Sequence, residues 1–253
     1  MTGSSVRKSS ASEAWAIPST GELHLWLCRR ETVTGSDEFQ RKVVSRYADA
    51  SPGRLRFSRG PQGKPALAAP ALQLDFNLSH SGDWLALVVS GGMAVGVDLE
   101  FCDARRDVLK LASRFFCAAE LADLQACDTA GRSSRFYDYW TLKEAHIKAV
   151  GGSLGRELEA TGFALRYPVA AAGRSVAPGR IVRLAPLAAE PAWYCLLQPI
   201  DQYRLAICGI TPGDSSPGLR GFELRAGDIV IERPLELRAV SMVAAVTPEE
   251  DSV

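Results

Sequence analysis

Asp98 and Glu100 stand two residues apart at the end of an apolar run, VGVDLE at 95–100. Successive side chains in a strand alternate faces, so both acids point the same way, with backbones roughly 6–7 Å apart. Two carboxylates that close repel each other unless a cation lies between them, and a hard divalent ion with oxygen ligands meets that need. A pair of solvated acids at a strand exit explains the same spacing. Further along, Trp140, Glu144 and Lys148 recur at i, i+4 and i+8 and share one helix face. A Glu–Lys pair at i, i+4 is also an ordinary helix stabiliser worth ~0.3 kcal/mol. An indole, an acid and a base on one face of a buried helix is less usual for a solvated surface, because charges inside tend to be paired or metal-bound. Ser79-His80 follows a strand and precedes Gly82; ring N–H and hydroxyl together can grip a phosphate. Lys64, between Gly63 and Pro65, can complete an anion pocket with His80. Taken singly, a structural histidine and a surface lysine explain these two residues.

The elements that must hold these groups read as an α+β pattern. Glu22 to Arg29 starts the ordered part as a strand, and Ser36 to Tyr47 is a short helix with Phe39, Val43 and Tyr47 at helical spacing. Ser51 to Pro70 reads as a loop. Leu74, Phe76 and Leu78 alternate with polar residues as a strand. Trp84 to Val89, the turn Ser90-Gly91-Gly92 and Met93 to Leu99 read as a hairpin, since glycines supply the positive φ of tight turns. The near-continuous apolar content of that segment predicts a sheet covered on both sides. Helices are expected over Asp103–Phe116, Ala118–Gln125 and Arg135–Val150, the last stopped by Gly151-Gly152, with a polar loop at Asp128–Ser134. Strands follow at Phe163–Arg166, Trp193–Gln198 and Tyr203–Ile210, with a loop at Pro168–Gly179. Gly221–Arg225 and Ile229–Arg233 suggest an extra hairpin. The expected division is a flexible tail at 1–20, an N-terminal half at 21–103, a C-terminal half at 104–212, and a partly disordered extension at 213–253.

Composition narrows the function. Apolar residues make up 47% of the 253, enough for a real core, and 29 Lys+Arg against 29 Asp+Glu leave no net charge. A whole-surface attraction to nucleic acid is therefore not expected. The most apolar run, Trp84 to Val97, is interrupted and too short to span a bilayer, and the N-terminus has no signal-peptide core. Six cysteines, none in a CxxC pair, read as reduced thiols of a cytoplasmic protein.

Four blocks, in order, resemble the Sfp-type 4′-phosphopantetheinyl transferases: GKP at 63–65, FNLSHSGDWLALVV at 76–89, VGVDLE at 95–100 and FYDYWTLKEAHIKAVGGSL at 136–154, with RFFCAAE at 114–120 like the family's linking helix. The resemblance runs from about Ser51 to Tyr167. It implies two similar α+β halves related by a pseudo-two-fold, with the active site in the cleft between them. It further implies that Asp98, Glu100 and Glu144 bind Mg²⁺, which also meets the coenzyme A pyrophosphate. Ser79 and His80 would contact the phosphates or the adenosine part, and Lys64 the nucleotide. Lys148 would pair with the pyrophosphate and help the leaving group, and Glu144 would serve as ligand, base or both. The implied reaction moves 4′-phosphopantetheine from coenzyme A to a serine of an apo acyl or peptidyl carrier protein and releases adenosine 3′,5′-bisphosphate. The implied protein is a monomer, with no membrane or nucleic-acid partner. The stretch from Leu27 to Tyr47 is shorter than the family's basic segment, so the grip on the 3′-phosphate stays open among Arg29, Arg30, Arg41 and Arg46. Arg105, Arg106, Lys110 and Arg114, near apolar Leu121 and Leu124, offer a rim for an acidic carrier; an ordinary solvated helix face explains them equally.

Overall fold

The computed structural model describes residues 15–152, 154–167, 178–185, 191–211 and 216–241. Most of the tail, most of the loop expected at Pro168–Gly179 and the last twelve residues lie outside these.

Near-continuous apolar runs predict strands buried on both faces, and the chain builds two sheets that contain such strands. The first has the order β12-β11-β1-β5-β4, from β1 (Glu22–Arg29), β4 (Asp75–Ser81), β5 (Trp84–Ser90), β11 (Gly218–Arg225) and β12 (Ile229–Arg233). The second has the order β6-β10-β9-β13-β8-β7, from β6 (Val95–Phe101), β7 (Gly162–Arg166), β8 (Gly179–Ala185), β9 (Ala192–Leu197), β10 (Tyr203–Ile210) and β13 (Leu237–Ser241). Odd positions of β1 and β6 (Leu23, Leu25, Leu27; Val95, Val97, Leu99) meet in a core shared between the sheets. Even positions face helices. Trp26 and Cys28 pack with α1 (Ser36–Ala48) over the first sheet. Ala206 and Cys208 of β10 pack with α2 (Val108–Phe115), α3 (Ala118–Ala126) and α4 (Thr129–Val150) over the second. The short α5 (Leu154–Ala160) follows α4.

The two halves share one course. β1, then α1, then the β4–β5 hairpin, with β5 beside β1, is matched by β6, α4 and the β9–β10 hairpin, with β10 beside β6; all four pairings are antiparallel. This is the α+β fold of two similar halves expected from the sequence.

Several details differ from the sequence reading. Trp84–Leu99 is not a hairpin. Both edges of β5 are taken, by β1 and β4, so the chain crosses at positions 91–94 into the second sheet, where β6 joins β10. β6 thus belongs to the second sheet. The loop expected over Ser51–Pro70 contains a small antiparallel hairpin, β2 (Arg56–Arg59) with β3 (Pro65–Ala69). The helix expected from Asp103 starts at Val108, where the Asp107 side chain accepts from Lys110 N, so Arg105 and Arg106 precede it. The loop expected at Asp128–Ser134 is the first turn and a half of α4, capped by Asp128 accepting from Gly131 N. Its end is where the sequence put it, at Gly151 with φ 70°.

The extension past position 212 is woven into both sheets. β11 runs parallel to β1, from Glu22 opposite Gly218 to Cys28 opposite Leu224, and β13 fills the gap between β9 and β8. From β11, Phe222 joins an aromatic cluster with Trp15 and Trp26, ring centroids 4.7 and 5.0 Å away. The six cysteines form no disulfide; Cys28, Cys195 and Cys208 are buried. Among the described residues, no helix is long and apolar enough to cross a membrane.

Candidate active site

Even positions of β6 face α4, and Gly96 is the first of them. A Cβ there would lie 2.0 Å from the Ala145 carbonyl and 2.5 Å from the Ala149 amide. Only glycine lets the helix backbone settle on the strand at this point. That contact sets the height of α4, and Glu144 and Lys148, the residues just before Ala145 and Ala149 and one turn apart, reach the strand's next even position, Asp98.

The Lys148 ammonium donates to Asp98 Oδ1 at 2.5 Å and lies 3.5 Å from Glu144 Oε2. Ser79 Oγ donates to the same Asp98 oxygen at 2.9 Å, and Ser81 Oγ donates to Glu100 Oε2 at 3.0 Å. Asp98 is 2% exposed, and its second oxygen, Oδ2, is buried with no hydrogen-bond partner. Burial raises the pKa of Asp98 against the pull of Lys148, and burial followed by the Asp98 charge raises that of Glu100. Glu144 is pushed up to about 7 by burial, then by repulsion from Asp98. Lys148 is held above the ordinary lysine value because Asp98 and Glu144 outweigh the effect of its burial. Three acids thus share a desolvated pocket with a single ammonium.

Among the described residues, no three His, Cys, Asp or Glu side chains are gathered closely enough to clasp a metal ion. The Lys148 ammonium lies against Asp98, the most buried of the trio. The donor set still suits a hard divalent cation: carboxylate oxygens only, one of them buried and unsatisfied, and more negative charge than one lysine offsets. Without a cation the Glu144 carboxylate, pushed up to about 7, can exchange a proton near neutral pH.

The remaining residues singled out in the sequence are placed less simply. Ser79 is buried against β6, bonded to the Asp98 carboxylate and the Leu99 amide. His80 points to the opposite side of β4 and is exposed. Lys64 does not join it: its Nζ donates to Asp75 Oδ2 and to the Val95 carbonyl, both at 2.9 Å, at the start of β4 and β6. From position 75 to position 80 the strand advances roughly 17 Å, so Lys64 and His80 sit at opposite ends of β4. Trp140 shares the helix face of Glu144 but packs on Phe136 and Phe115, with centroids 5.6 and 5.8 Å away, as part of the core. Of the four candidate arginines, Arg46 is buried and donates to the Asp228 carbonyl, and Arg41 pairs with Asp37. Arg29, over the Trp84 ring, and Arg30 are the exposed ones.

Sequence reasoning missed a second buried pair on the far side of α4. Lys143, fully buried, donates to Glu120 and to the carbonyls of Leu158 and Thr161, while Glu120 accepts from Cys117 N and Phe163 N. This node ties α3, α5 and β7 to α4 at the residue before Glu144. The signal was the Lys143-Glu144 doublet, whose members must face different ways on a helix.

Two family models match the chain: "4'-phosphopantetheinyl transferase superfamily" over residues 94–208, and "4'-phosphopantetheinyl transferase, N-terminal" over residues 31–91. The first runs from β6 into β10 and includes Asp98, Glu100, Glu144 and Lys148. The chain belongs to the 4′-phosphopantetheinyl transferase superfamily. It is 29% identical over 177 residues to the 4′-phosphopantetheinyl transferase Sfp of Bacillus subtilis, covering 70% of this chain and 72% of that one. It is 32% identical over 129 residues to the 4′-phosphopantetheinyl transferase HetI of a Nostoc species, covering 50% and 54%. With AcpT of Escherichia coli it shares 44% over 94 residues, 37% of this chain and 48% of that one. The chain thus spans about half the length of the latter two relatives.

Proposed function

We propose that this transferase-family chain moves 4′-phosphopantetheine from coenzyme A to a serine of an apo acyl or peptidyl carrier protein, with Mg²⁺ bound at Asp98, Glu100 and Glu144. The observation that carries the reading is the desolvated acid trio with the bare Asp98 Oδ2 and the Lys148 ammonium beside it. Bound magnesium would offset the charge of a pyrophosphate, so that an oxygen nucleophile can approach phosphorus. The chain's own residues do the rest. Glu144, which a bound cation would keep ionised, accepts the proton of the incoming serine hydroxyl. The oxygen forms a bond to the β-phosphorus of coenzyme A while the bond to the bridging oxygen breaks, and adenosine 3′,5′-bisphosphate leaves. Lys148, already against the acids, adds positive charge where the departing phosphate gains negative charge.

His80, exposed at the far end of β4 from Lys64, is assigned to the nucleotide phosphates, with Arg29 and Arg30 the exposed arginines for a 3′-phosphate. Lys64 acts on the nucleotide through its hold on Asp75 and β6. The carrier meets the segment before α2: Arg105 is 90% exposed in its side chain and chelated by Asp103, and an acidic helix suits that rim. On this reading the protein works as a monomer, since one chain supplies both halves of the site, and in the cytoplasm, where its six free cysteines stay reduced.

Incubation with coenzyme A, Mg²⁺ and an apo carrier, followed by mass spectrometry of the carrier, tests the activity. A gain of one phosphopantetheine group at a serine is expected. No gain with several carriers that a known transferase modifies would reject the proposal, and hydrolysed coenzyme A without carrier modification would point to a hydrolase.

A further inference from the structure

Strands β4 and β6 are the edges of their sheets, and they exchange no backbone ladder. Instead, three side chains of β4 at every second position accept backbone amides of β6. Asn77 Oδ1 accepts from Val97 N at 3.0 Å, Ser79 Oγ from Leu99 N at 3.2 Å, and Ser81 Oγ from Phe101 N at 3.0 Å. A strand edge left bare costs unsatisfied amides, and this row satisfies alternate ones. A hydroxyl has one hydrogen and two lone pairs. Because each serine's oxygen accepts from a β6 amide, its single hydrogen is left for the neighbouring acid, and it goes to Asp98 Oδ1 and Glu100 Oε2 at 2.9 and 3.0 Å.

We infer that Ser79 and Ser81 are positioning residues of the acid site: each is clamped to the β6 backbone and points its proton at the carboxylate one residue before that amide. This deepens the metal reading above and rests on it. Ser79 therefore acts through Asp98, not as a phosphate ligand. The other Asp98 oxygen, Oδ2, is buried and has no hydrogen-bond partner. Asn77 supplies the internal comparison. It makes the same strand-to-strand bond, but the even position beside it is Gly96, so it holds no acid.

Partners that orient metal-binding carboxylates typically change metal affinity by about 10–100-fold when removed. We expect Ser81→Ala to weaken Mn²⁺ binding by about tenfold or more, read by electron paramagnetic resonance on the protein without coenzyme A or carrier. Ser81→Thr, which keeps the hydroxyl, restores it. Asn77→Ala lowers the melting temperature in EDTA but leaves the Mn²⁺ affinity within about twofold of the parent, beneath the 10–100-fold effect of losing an orienting partner. Asp98→Asn, which abolishes Mn²⁺ binding if the acid trio is the site, separates the two levels of the argument. Mn²⁺ binding that is lost in Asp98→Asn but unchanged in a folded Ser81→Ala would sink the inference and leave the metal reading standing. An equal loss of affinity in Asn77→Ala and Ser81→Ala also overturns it, because the row would then act only on the fold. A parent protein that binds no Mn²⁺ overturns both.

Discussion

Under α1, the helix-facing side of β1 carries His24 and Trp26; under α4, the matching strand β6 carries Gly96 and Asp98. In the first half the space is filled by aromatic rings, three of which meet through polar atoms at Tyr47. Tyr47 Oη, from the last turn of α1, receives Trp26 Nε1 at 2.7 Å and sits 2.8 Å from His24 Nδ1. Trp15 and Phe222 close the cluster from outside the repeat. In the second half the C-terminal part of α4 brings an ammonium, Lys148, and a carboxylate, Glu144, against Asp98 and Glu100 of β6, and one buried Asp98 oxygen has no hydrogen-bond partner. One β–α–β–β course thus serves twice. Where the helix-to-strand contact is aromatic and neutral it contributes stability. Where a glycine draws the helix backbone onto the strand, shorter charged side chains can converge, at a desolvation cost that the rest of the fold must offset.

The sharpest break of this contrast is Glu144→Gln. It keeps shape and removes a charge, so transfer should fall by about 10²–10⁴-fold while the melting temperature holds or rises, because a repelled buried acid is gone. Carrier mass gain against time, alongside a thermal melt, checks both halves of that statement; near-normal turnover would reduce Glu144 to the helix-stabilising partner of Lys148. Gly96→Ala attacks the contact itself. With a backbone carbonyl 2.0 Å from the new Cβ, the helix must lift, and overpacking of this kind costs ~3 kcal/mol or more. We expect a lower urea midpoint together with lost Mn²⁺ binding, whereas a stable variant with parental affinity would show that α4 can move without disturbing the acids.

The first half should respond in stability alone. Tyr47→Phe strands the Trp26 indole N–H and a His24 nitrogen, at a cost of about 1–3 kcal/mol for a buried group left without its partner. Denaturant melts should record that loss while the transfer rate of the folded variant stays parental. The smallest effect is the pH dependence of the same cluster. Burial lowers the His24 pKa below 6.5, although Glu22 beside it pulls upward. The unfolded chain therefore takes up a proton that the folded chain resists. Stability is full above pH 6.5 and declines as the pH falls below it. Comparison of urea midpoints at pH 7.5 and 5.5 for the parent and His24→Gln should show the slope shrinking in the variant; an unchanged slope would assign it to other groups.

Much of this was legible along the chain. The DxE spacing, the i, i+4 pairing of Glu144 with Lys148 and the glycine stop of α4 are local patterns, and local periodicity fixes which faces such residues share. The hairpin expected over Trp84–Leu99 failed for a physical reason. A strand apolar on both faces, such as β5, carries no mark of which strands flank it, and Ser90-Gly91-Gly92 permits a turn as readily as a crossing. The start of α4 was misplaced because Thr129–Ser134 is polar on every side, while Asp128 as a cap was a signal present but unread. Ser81 and Asn77 escaped notice since a serine beside a strand has no chemistry until its neighbour is known. Their spacing at 77, 79 and 81, matching the 98 and 100 of the acids, was the available clue.

The sequence by itself determined the residue types of the site, their order, and which members of each element face the same way, because those follow from backbone periods of 2 and 3.6. The tertiary structure alone decided what meets across elements. It set β4 against β6 through side chains and not a backbone ladder. It sent Lys64 and His80 to opposite ends of one strand, and it passed β11 beside β1, nearly two hundred residues earlier in the chain. Such pairings depend on which edges are left open once every other strand has found its neighbour, and no local stretch of sequence encodes that.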